Sequence, residues 1–302
     1  MPGAYGVFHR ECVCGKKLAT TFLGGRSRYE ALCPYCRMPL HSDGSRQYGI
    51  QLVGGSGAGK TAYLAAVWHE YLARLKDHPE ITATPVPQRA FDELENQFQT
   101  GVIPATSVFN AAMYSVVHTT ERGIPVQMTL YDIAGEAFDD ARVQGQQQQL
   151  GYCEGFILLL DPTATPETAS DAAANFIRMT EAITGKGTTK TTRIPLAVVI
   201  TKGDRFKKEI GPARMRATAQ SDPALFAAHR DTVCRDFLVS HDFGNAVNLI
   251  EAEFSDIAYF AIAAMGHDTD GTPFEPWGVL EPLDWLMGKE NCPLRGIMIK
   301  KE

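Results

Sequence analysis

The sequence predicts an α/β fold in which a mostly parallel sheet lies between two layers of helices. Short apolar, β-prone runs alternate along the 302 residues with longer segments whose apolar residues recur at helical spacing. This alternation is typical of parallel strands joined by crossover helices. A glycine-rich stretch at 54–61 separates the first long strand from the first long helix, and four cysteines in the first 36 residues indicate a small module before the sheet.

Six apolar, β-prone runs are predicted as strands: 47–53, 111–119, 126–131, 155–161, 194–200 and 257–262. The fourth and fifth runs are almost continuously apolar, as expected of parallel strands that are buried on both faces. We expect the run 111–119 to be an antiparallel strand at the edge of the sheet. Apolar residues at helical spacing predict helices at 62–75, 166–184, 223–239, 245–254 and 280–287.

Composition limits the classes of function that this chain can have. Hydrophobic residues make up 44% and charged residues 21%, so a sizeable packed core is expected. No apolar run has the length of a membrane span, and the N-terminus lacks the apolar stretch of a signal peptide. We therefore expect a soluble, cytoplasmic protein. The net charge of −6 argues against a surface that coats nucleic acid.

Two short cysteine pairs, C-x-C and C-x-x-C, indicate a zinc ribbon at 1–46, because clustered thiolates in an intracellular chain are typical metal ligands. Four thiolates suit tetrahedral Zn²⁺. The predicted ligands are Cys12, Cys14, Cys33 and Cys36. The tight first pair leaves room for His9 or His41 to replace one cysteine, and reduced free thiols are the alternative. With seven basic and three acidic side chains in residues 1–47, and no basic stripe interleaved with aromatics, we favour protein docking over nucleic-acid binding.

The stretch 54–61, GGSGAGKT, matches the phosphate-binding pattern G-x-x-x-x-G-K-[ST] and lies between a predicted strand and a predicted helix. Glycines let successive backbone N–H groups converge on phosphate oxygens, and the helix N-terminus adds its positive dipole end. Lys60 would reach the β- and γ-phosphates, and the Thr61 hydroxyl would ligate Mg²⁺. The predicted nucleotide contacts of this phosphate loop are Gly55, Ser56, Gly57, Ala58, Gly59, Lys60, Thr61 and Ala62.

A second motif, DIAGE at 132–136, follows the predicted strand 126–131. An aspartate at the carboxyl end of a strand, opposite the phosphate loop, can hold the water shell of Mg²⁺, which is the role we assign to Asp132. Gly135 would bring a backbone N–H group to the γ-phosphate.

Base recognition is predicted in two turns that follow the last two strands. In the TKGD turn (201–204), the Asp204 carboxylate can accept hydrogen bonds from both N1–H and the exocyclic amine of guanine, whereas adenine offers no such pair of donors on that edge. The stem of Lys202 would lie along the purine ring. Small residues in the AAM turn (263–265) allow a backbone N–H to reach guanine O6. The predicted base contacts are Thr201, Lys202, Asp204, Ala263, Ala264 and Met265.

The order of these motifs resembles the Ras-like branch of the P-loop GTPases. The resemblance covers residues 47–302, and it extends more narrowly to the bacterial double-GTPase families, which are associated with multi-gene systems for which a role in defence is one interpretation. It implies the three-layer sandwich of the P-loop NTPases with a Ras-like sheet, a helical insert at about 205–255, and binding of GTP and GDP with Mg²⁺. Thr201 stands where asparagine is commoner, and its hydroxyl would still brace the turn.

The resemblance also implies a first switch whose threonine ligates Mg²⁺ and senses the γ-phosphate. We favour Thr106 over Thr100 and Ser107, because Thr106 follows GVIP and lies shortly before the strand 111–119. Glu136 stands where a glutamine commonly orients the attacking water, and a carboxylate near the γ-phosphate is electrostatically unfavourable.

Two functions therefore stay open. One is a GTP-hydrolysing switch that controls the binding of a protein effector or a second GTPase. The other is a GTP-binding scaffold that hydrolyses little and acts through the zinc ribbon. For the first, the predicted catalytic residues are Lys60, Thr106, Gly135 and Glu136.

Overall fold

A seven-stranded sheet forms the centre of the protein in the computed structural model, which describes residues 8–11, 17–20, 46–103, 112–120, 126–132, 153–184, 194–216, 222–265, 276–289, 292 and 294. Two strands, β1 (Phe8–Glu11) and β2 (Lys17–Thr20), pair antiparallel in a separate hairpin. The strands of the main sheet are β3 (Arg46–Gly54), β4 (Ile81–Val86), β5 (Ala112–Thr120), β6 (Val126–Asp132), β7 (Gly155–Leu160), β8 (Leu196–Ile200) and β9 (Ile257–Ala261).

The main sheet has the strand order β4-β5-β6-β3-β7-β8-β9 and is parallel from β6 to β9. Strand β5 runs antiparallel to both of its neighbours, β4 and β6. The prediction that this strand lies at the sheet edge is therefore wrong, because β4 occupies the edge. The run ITATPV contains Pro85 and is largely half-exposed or exposed, which hides it from a search for apolar strands. Proline is tolerated in edge strands because an edge leaves part of the ladder unpaired.

Helices precede, connect and follow these strands. They are α1 (Lys60–Leu75), α2 (Gln88–Thr100), α3 (Pro166–Thr184), α4 (Lys207–Ile210), α5 (Pro212–Arg216), α6 (Pro223–Ser240), α7 (Gly244–Glu253) and α8 (Glu281–Lys289). The five predicted helices correspond to α1, α3, α6, α7 and α8 within two residues at each end, whereas α2 was not predicted. In the part of the chain that the structure describes, no helix combines the length and the apolar character that crossing a membrane requires.

Two hydrophobic cores sandwich the sheet, as the α/β prediction requires. Side chains of α1, α2 and α8 pack in the first core, and side chains of α3, α6 and α7 pack in the second. Strand β7 contributes to both cores because its side chains alternate between the two faces of the sheet. Ile157 and Leu159 pack in the first core, and Phe156 and Leu158 pack in the second. Burial on both faces is the physical reason that β7 and β8 are continuously apolar.

The parallel strands all end at one edge of the sheet, which we call the carboxyl edge. Strands β3, β6, β7, β8 and β9 end there at residues 54, 132, 160, 200 and 261. In open α/β sheets this edge is where ligands bind, because the loops that follow the strands converge there. The phosphate loop and the two predicted base-recognition turns come after strands that end at this edge, and Asp132 is the last residue of β6.

The hairpin of β1 and β2 is the described part of the predicted zinc ribbon. The four predicted cysteine ligands lie outside the described residues. Within the described ranges, no group of three or more His, Cys, Asp or Glu side chains is placed to hold a metal ion. The zinc ribbon and its boundary at residue 46 stay predictions.

A buried polar pair joins α1 to the antiparallel side of the sheet. His118 of β5 is fully buried, and its Nδ1 lies 3.2 Å from the carbonyl oxygen of Val126. Because a carbonyl only accepts, Nδ1 carries the proton and Nε2 accepts from the hydroxyl of Tyr71. Burial lowers the pKa of His118 to about 4, opposed in part by the bond to Val126.

We predict that His118→Gln removes part of the acid sensitivity of folding. The pKa of His118 is about 6.5 unfolded and about 4 folded, so only the unfolded state binds the proton as the pH falls between these values. Stability is full above pH 6.5 and falls by up to about 3 kcal/mol toward pH 4. Urea unfolding of the wild type and of the variant at pH 7.5, 5.5 and 4.5 measures the difference between their free energies of unfolding. The contributions of other titrating groups cancel in this difference. Parallel pH profiles would contradict the prediction.

Candidate functional site

The phosphate loop turns tightly between β3 and α1. Gly57 and Gly59 have φ angles of +74° and +87°, a left-handed backbone in which a side chain would be strained. A Cβ atom at Gly54 would lie 3.0 Å from the carbonyl oxygen of Leu159, so the start of the loop packs directly against β7. The Ala58 N–H donates to the carbonyl of Gly55 over 3.2 Å. The glycines are therefore needed for the backbone path that the sequence motif predicts.

Lys60, the first residue of α1, points back over its own loop. Its Nζ donates to the carbonyl oxygens of Gly54 and Gly55, at 2.7 and 3.1 Å. The ammonium group is thus held by the loop that would surround a phosphate, and it can exchange neutral carbonyl oxygens for charged phosphate oxygens without leaving the loop.

Asp132 ends β6 beside the phosphate loop. It pairs with Leu52 of β3 and is 5% exposed. Its Oδ1 is buried and has no hydrogen-bond partner among the residues that the structure describes. Burial raises the pKa of Asp132, and the nearby charge of Lys60 opposes that rise. Burying a carboxylate that has an unpaired oxygen lowers the stability of the fold. A cation bound at Asp132 would reduce this penalty.

Magnesium fits the donors at this position. Mg²⁺ prefers hard oxygen ligands, and it is commonly held by one or two protein oxygens together with phosphate and water. The chain offers the unpaired carboxylate oxygen of Asp132 and, at the second residue of α1, the hydroxyl of Thr61. Both are oxygen donors of the kind this ion requires.

Backbone hydrogen bonds fix the TKGD turn to two strands. The N–H and the hydroxyl of Thr201 both donate to the carbonyl of Leu160, at 2.9 and 3.2 Å. The predicted bracing role of this hydroxyl is therefore seen in the structure. The N–H of Gly203 donates to the carbonyl of Ile262 over 2.9 Å. Lys202 between them has a φ of +54°, so the turn bends sharply after β8.

Asp204 lies in a short 3-10 turn, Gly203–Phe206. Its Oδ1 is buried and has no hydrogen-bond partner in the described part of the chain. This is a second carboxylate oxygen at the carboxyl edge that the described chain does not satisfy. Buried polar groups in folded proteins are usually hydrogen-bonded, so this oxygen is a candidate contact for a bound ligand or a water molecule.

Asp161 holds the side chain of Lys202, a contact that the sequence did not predict. The Lys202 Nζ donates to Asp161 Oδ2 and, over 3.2 Å, to the hydroxyl of Thr163. Asp161 Oδ1 also accepts from the N–H and the hydroxyl of Thr163, at 2.8 and 2.7 Å. The signal was present, since Asp161 follows a strand at the carboxyl edge just as Asp204 does.

The AAM turn begins after β9 and is held by a residue further along the chain. The Ala263 N–H donates to the carbonyl of Trp277 over 3.1 Å, and the Trp277 N–H donates back over 3.0 Å. Ala263 is fully buried and Ala264 is 9% exposed. Trp277 was not singled out from the sequence, because a single tryptophan far from any motif carries no pattern.

Three observations place the phosphate loop, Asp132, Asp161 and the start of the TKGD turn close together. A Cβ atom built on Gly59 would lie 4.0 Å from the Cβ atom of Thr201, so the phosphate loop and the TKGD turn are neighbours. Lys60 and Asp132 are close enough for the charge of one to shift the pKa of the other. Gly55, Ser56 and Asp161 line one narrow cleft. The structure thus gathers the described predicted residues at the carboxyl edge.

Several predicted site residues lie outside the described residues. They are Thr106, Gly135, Glu136 and the four cysteines Cys12, Cys14, Cys33 and Cys36. Of the three first-switch candidates, only Thr100 is described. It ends α2, where its hydroxyl donates to the carbonyl of Asn96 over 2.8 Å. The choice of Thr106 stays a prediction.

Comparison with known families gives one match. A family model described as Double-GTPase 2 matches residues 49–252, more than half of the chain. The match begins in β3 and ends in α7, so it includes the phosphate loop, Asp132 and the TKGD turn, and it leaves out the AAM turn. Among curated proteins, no sequence matches the chain.

Several solved structures are similar to this one at low identity. The small GTPase Arl6 (BBS3) of Trypanosoma brucei, with the bound nucleotide analogue GppNp, is 15% identical with a TM-score of 0.40, over 81% of this chain and 98% of that one. The GTPase-like domain of Ski7 from S. cerevisiae, bound to GTP, is 13% identical with a TM-score of 0.41, over 82% and 51%. A GTP-binding protein of Sulfolobus solfataricus with GDP is 13% identical with a TM-score of 0.35, over 80% and 53%. The chain spans about half the length of the last two.

We predict that Asp132→Asn stabilises the nucleotide-free protein. Because the pKa of Asp132 is raised by burial, its ionised form costs stability at neutral pH, and asparagine removes the buried charge. The gain should be on the order of 1 kcal/mol, because asparagine removes the desolvated charge but leaves a polar side chain buried. It should shrink as the pH falls through the raised pKa, where the wild-type carboxyl protonates.

Urea unfolding without nucleotide or metal, at pH 7.5 and 4.5, measures this gain. Asp171→Asn, at an exposed position on α3, is the matched control and should change stability by less than about 0.5 kcal/mol. A loss of stability in Asp132→Asn at both pH values would show that the carboxylate makes a stabilising contact instead.

Proposed function

This chain belongs to the Double-GTPase 2 family, and we propose that it is a Ras-like switch that binds and hydrolyses GTP and thereby controls the binding of a protein partner. The observation that carries the proposal is the buried oxygen of Asp204, which has no hydrogen-bond partner among the described residues and lies in a turn whose first residue, Thr201, is close to Gly59 of the phosphate loop. Such an acceptor fits the paired donors on the edge of guanine, and the turn that carries it begins close to a loop that fits phosphate.

The phosphate side of the proposed site needs little rearrangement to bind a nucleotide. The backbone N–H groups of residues 55–61 would surround the β-phosphate, with the positive end of α1 behind them. Lys60 would move from the carbonyls of Gly54 and Gly55 to the β- and γ-phosphate oxygens. Mg²⁺, held by Thr61 and Asp132, would neutralise phosphate charge. This assignment is supported by Asp132 Oδ1, which has no hydrogen-bond partner in the described part of the chain.

The base side of the proposed site combines an acceptor and a donor. Asp204 would accept hydrogen bonds from N1–H and the exocyclic amine of guanine, and the stem of Lys202 would lie along the purine ring. Since the N–H of Ala263 donates to Trp277, the donor to guanine O6 would come from Ala264 or Met265. Adenine lacks the donor pair that Asp204 requires, so the site should prefer GTP over ATP.

The proposed switch depends on the segments around Thr106 and Glu136. In the GTP-bound state, Thr106 would ligate Mg²⁺ and the N–H of Gly135 would contact the γ-phosphate, and loss of that phosphate would release both segments. The partner would be a protein effector or a second GTPase. Glu136 supports the second candidate, a scaffold that binds GTP and hydrolyses little, because its negative charge would repel the attacking water as it deprotonates.

The N-terminal module is proposed to hold zinc and to dock on protein. Two cysteine pairs within residues 12–36 support the zinc site. We also propose a cytoplasmic location in a bacterial multi-gene system, with defence as one role, from the resemblance of the motifs to the double-GTPase families.

We predict that Asp204→Asn exchanges guanine for xanthine specificity. Loss of two charge-assisted hydrogen bonds should weaken GTP binding about 100-fold. Xanthine carries an oxygen where guanine carries the amine, so XTP should bind the variant better than GTP. Competition with a fluorescent GDP measures the affinities for GTP, XTP and ATP. Asp236→Asn, at an exposed position on α6, is the control. Unchanged GTP affinity in Asp204→Asn would exclude the assignment of this residue to guanine.

We predict that Glu136→Gln accelerates hydrolysis at least about tenfold, since a neutral amide can orient the attacking water without adding negative charge at the γ-phosphate. Phosphate release in a single turnover with Mg·GTP measures the rate, and Lys60→Ala, which should lose nucleotide binding, is the negative control. If neither the wild type nor Glu136→Gln releases phosphate from bound GTP, alone or with candidate partners, the scaffold is the better assignment.

A further inference from the structure

A strap formed by residues 276–280 ties the two base-recognition turns together. It follows the last strand and begins before α8. Its backbone forms an isolated antiparallel bridge in which Trp277 and Ala263 exchange two N–H···O bonds, of 3.1 and 3.0 Å. Both the N–H and the carbonyl of Ala263, the first residue of the AAM turn, are therefore hydrogen-bonded to Trp277. The backbone course of that turn is therefore set by the strap as well as by β9.

The indole ring of Trp277 also closes one side of the TKGD turn. A Cβ atom built on Gly203 would lie 2.6 Å from Cη2 and 2.9 Å from Cζ2 of Trp277, and 2.9 Å from the carbonyl oxygen of Ile262. Gly203 is therefore in direct contact with the ring while its N–H is held by Ile262. Since Asp204 is the next residue, the position of its carboxylate depends on this contact.

The strap holds the ring in place from its other end. Gly278 has a φ of +72°, and a Cβ atom there would lie 2.6 Å from the carbonyl oxygen of Ala261. Only glycine permits this turn against β9. The backbone on both sides of Trp277 is thus fixed to the sheet, and the side chain has little freedom to move away from Gly203.

Trp277 packs against the second hydrophobic core, but its indole N–H is not satisfied by that packing. The indole Nε1 is buried and has no hydrogen-bond partner among the described residues. An unpartnered buried N–H lowers stability, and a phenylalanine or leucine at this position would not carry one. The atoms that contact Gly203 are Cη2 and Cζ2, and these belong to the outer ring of the indole, which a smaller side chain does not reach.

We propose that Trp277 is a positioning residue for guanine recognition, acting through Gly203 and Ala263. This inference rests on the proposed function of the site. The guanine contacts come from two turns about sixty residues apart in sequence, and Asp204 and the amide for O6 must stand at the spacing of one purine edge. Trp277 contacts both turns and holds that spacing before the nucleotide binds, which lowers the ordering cost of binding.

The test uses Trp277→Phe and, as a second variant, Gly203→Ala, whose new methyl group would clash with the ring and with the carbonyl oxygen of Ile262 and so disturb the same turn from the other side of the contact. Both should release a fluorescent GDP at least about tenfold faster than the wild type. Affinity for inorganic triphosphate should stay within about twofold, because the phosphate loop is untouched. Trp285→Phe is the matched control: this tryptophan packs against Phe260 in the core on the opposite face of the sheet, and its loss should leave GDP release unchanged.

Hydrogen–deuterium exchange of the nucleotide-free proteins supplies a readout that needs no nucleotide. The amides of Gly203 and Ala263 should lose protection in Trp277→Phe, while those of β8 keep it. The inference is overturned if both variants release GDP at the wild-type rate and keep wild-type amide protection. It is also overturned if the variants lose GDP binding and triphosphate binding equally. If the wild type binds triphosphate but no guanine nucleotide, the proposed function fails, and the exchange data alone decide whether Trp277 positions the two turns.

Discussion

The candidate site depends on the burial of β7 and β8 on both faces. Their side chains alternate between two cores, one under α1 and α8 and one under α3, α6 and α7. Strands in this position have no room for polar side chains along their length. Polar groups can therefore occur only where the strands end, and the parallel arrangement places all of those ends at the carboxyl edge. The chemistry of the molecule is concentrated there for this reason.

The carboxyl edge holds more charge than the described residues neutralise. Lys202 is paired with Asp161, and Lys60 rests on carbonyl oxygens, whereas Asp132 and Asp204 each keep a buried oxygen without a described partner. Keeping such groups in place lowers the stability of the fold, which the two large hydrophobic cores offset. Under the proposed function, Mg²⁺ and guanine supply the missing partners of Asp132 and Asp204. Because both carboxylates are already desolvated in the folded chain, binding does not have to remove water from them again.

The antiparallel side of the sheet has a different organisation. Strand β5 lies between β4 and β6, and it carries a buried polar side chain on each of its faces, Ser115 on one and His118 on the other. Ser115 lies 2.7 Å from the hydroxyl of Thr129 and accepts from Gln127 over 2.7 Å. These bonds join Ser115 of β5 to β6, while His118 is bonded to Val126 of β6 and to Tyr71 of α1. The side chains of Ser115 and His118 are therefore hydrogen-bonded within the fold. At the carboxyl edge, by contrast, Asp132 and Asp204 each have a buried oxygen with no partner among the described residues.

Local patterns in the sequence determined the α/β class, five helices, most of the strands of the sheet and the phosphate loop, because strand and helix periodicity and glycine turns are properties of neighbouring residues. They also placed Asp132, Thr201 and Asp204 after strands. Only the tertiary structure decided that β4 occupies the edge, that Asp161 holds Lys202, and that Trp277 contacts both Gly203 and Ala263. Each of these depends on residues that are distant in the chain and meet only when the sheet forms, so no periodicity or spacing records them.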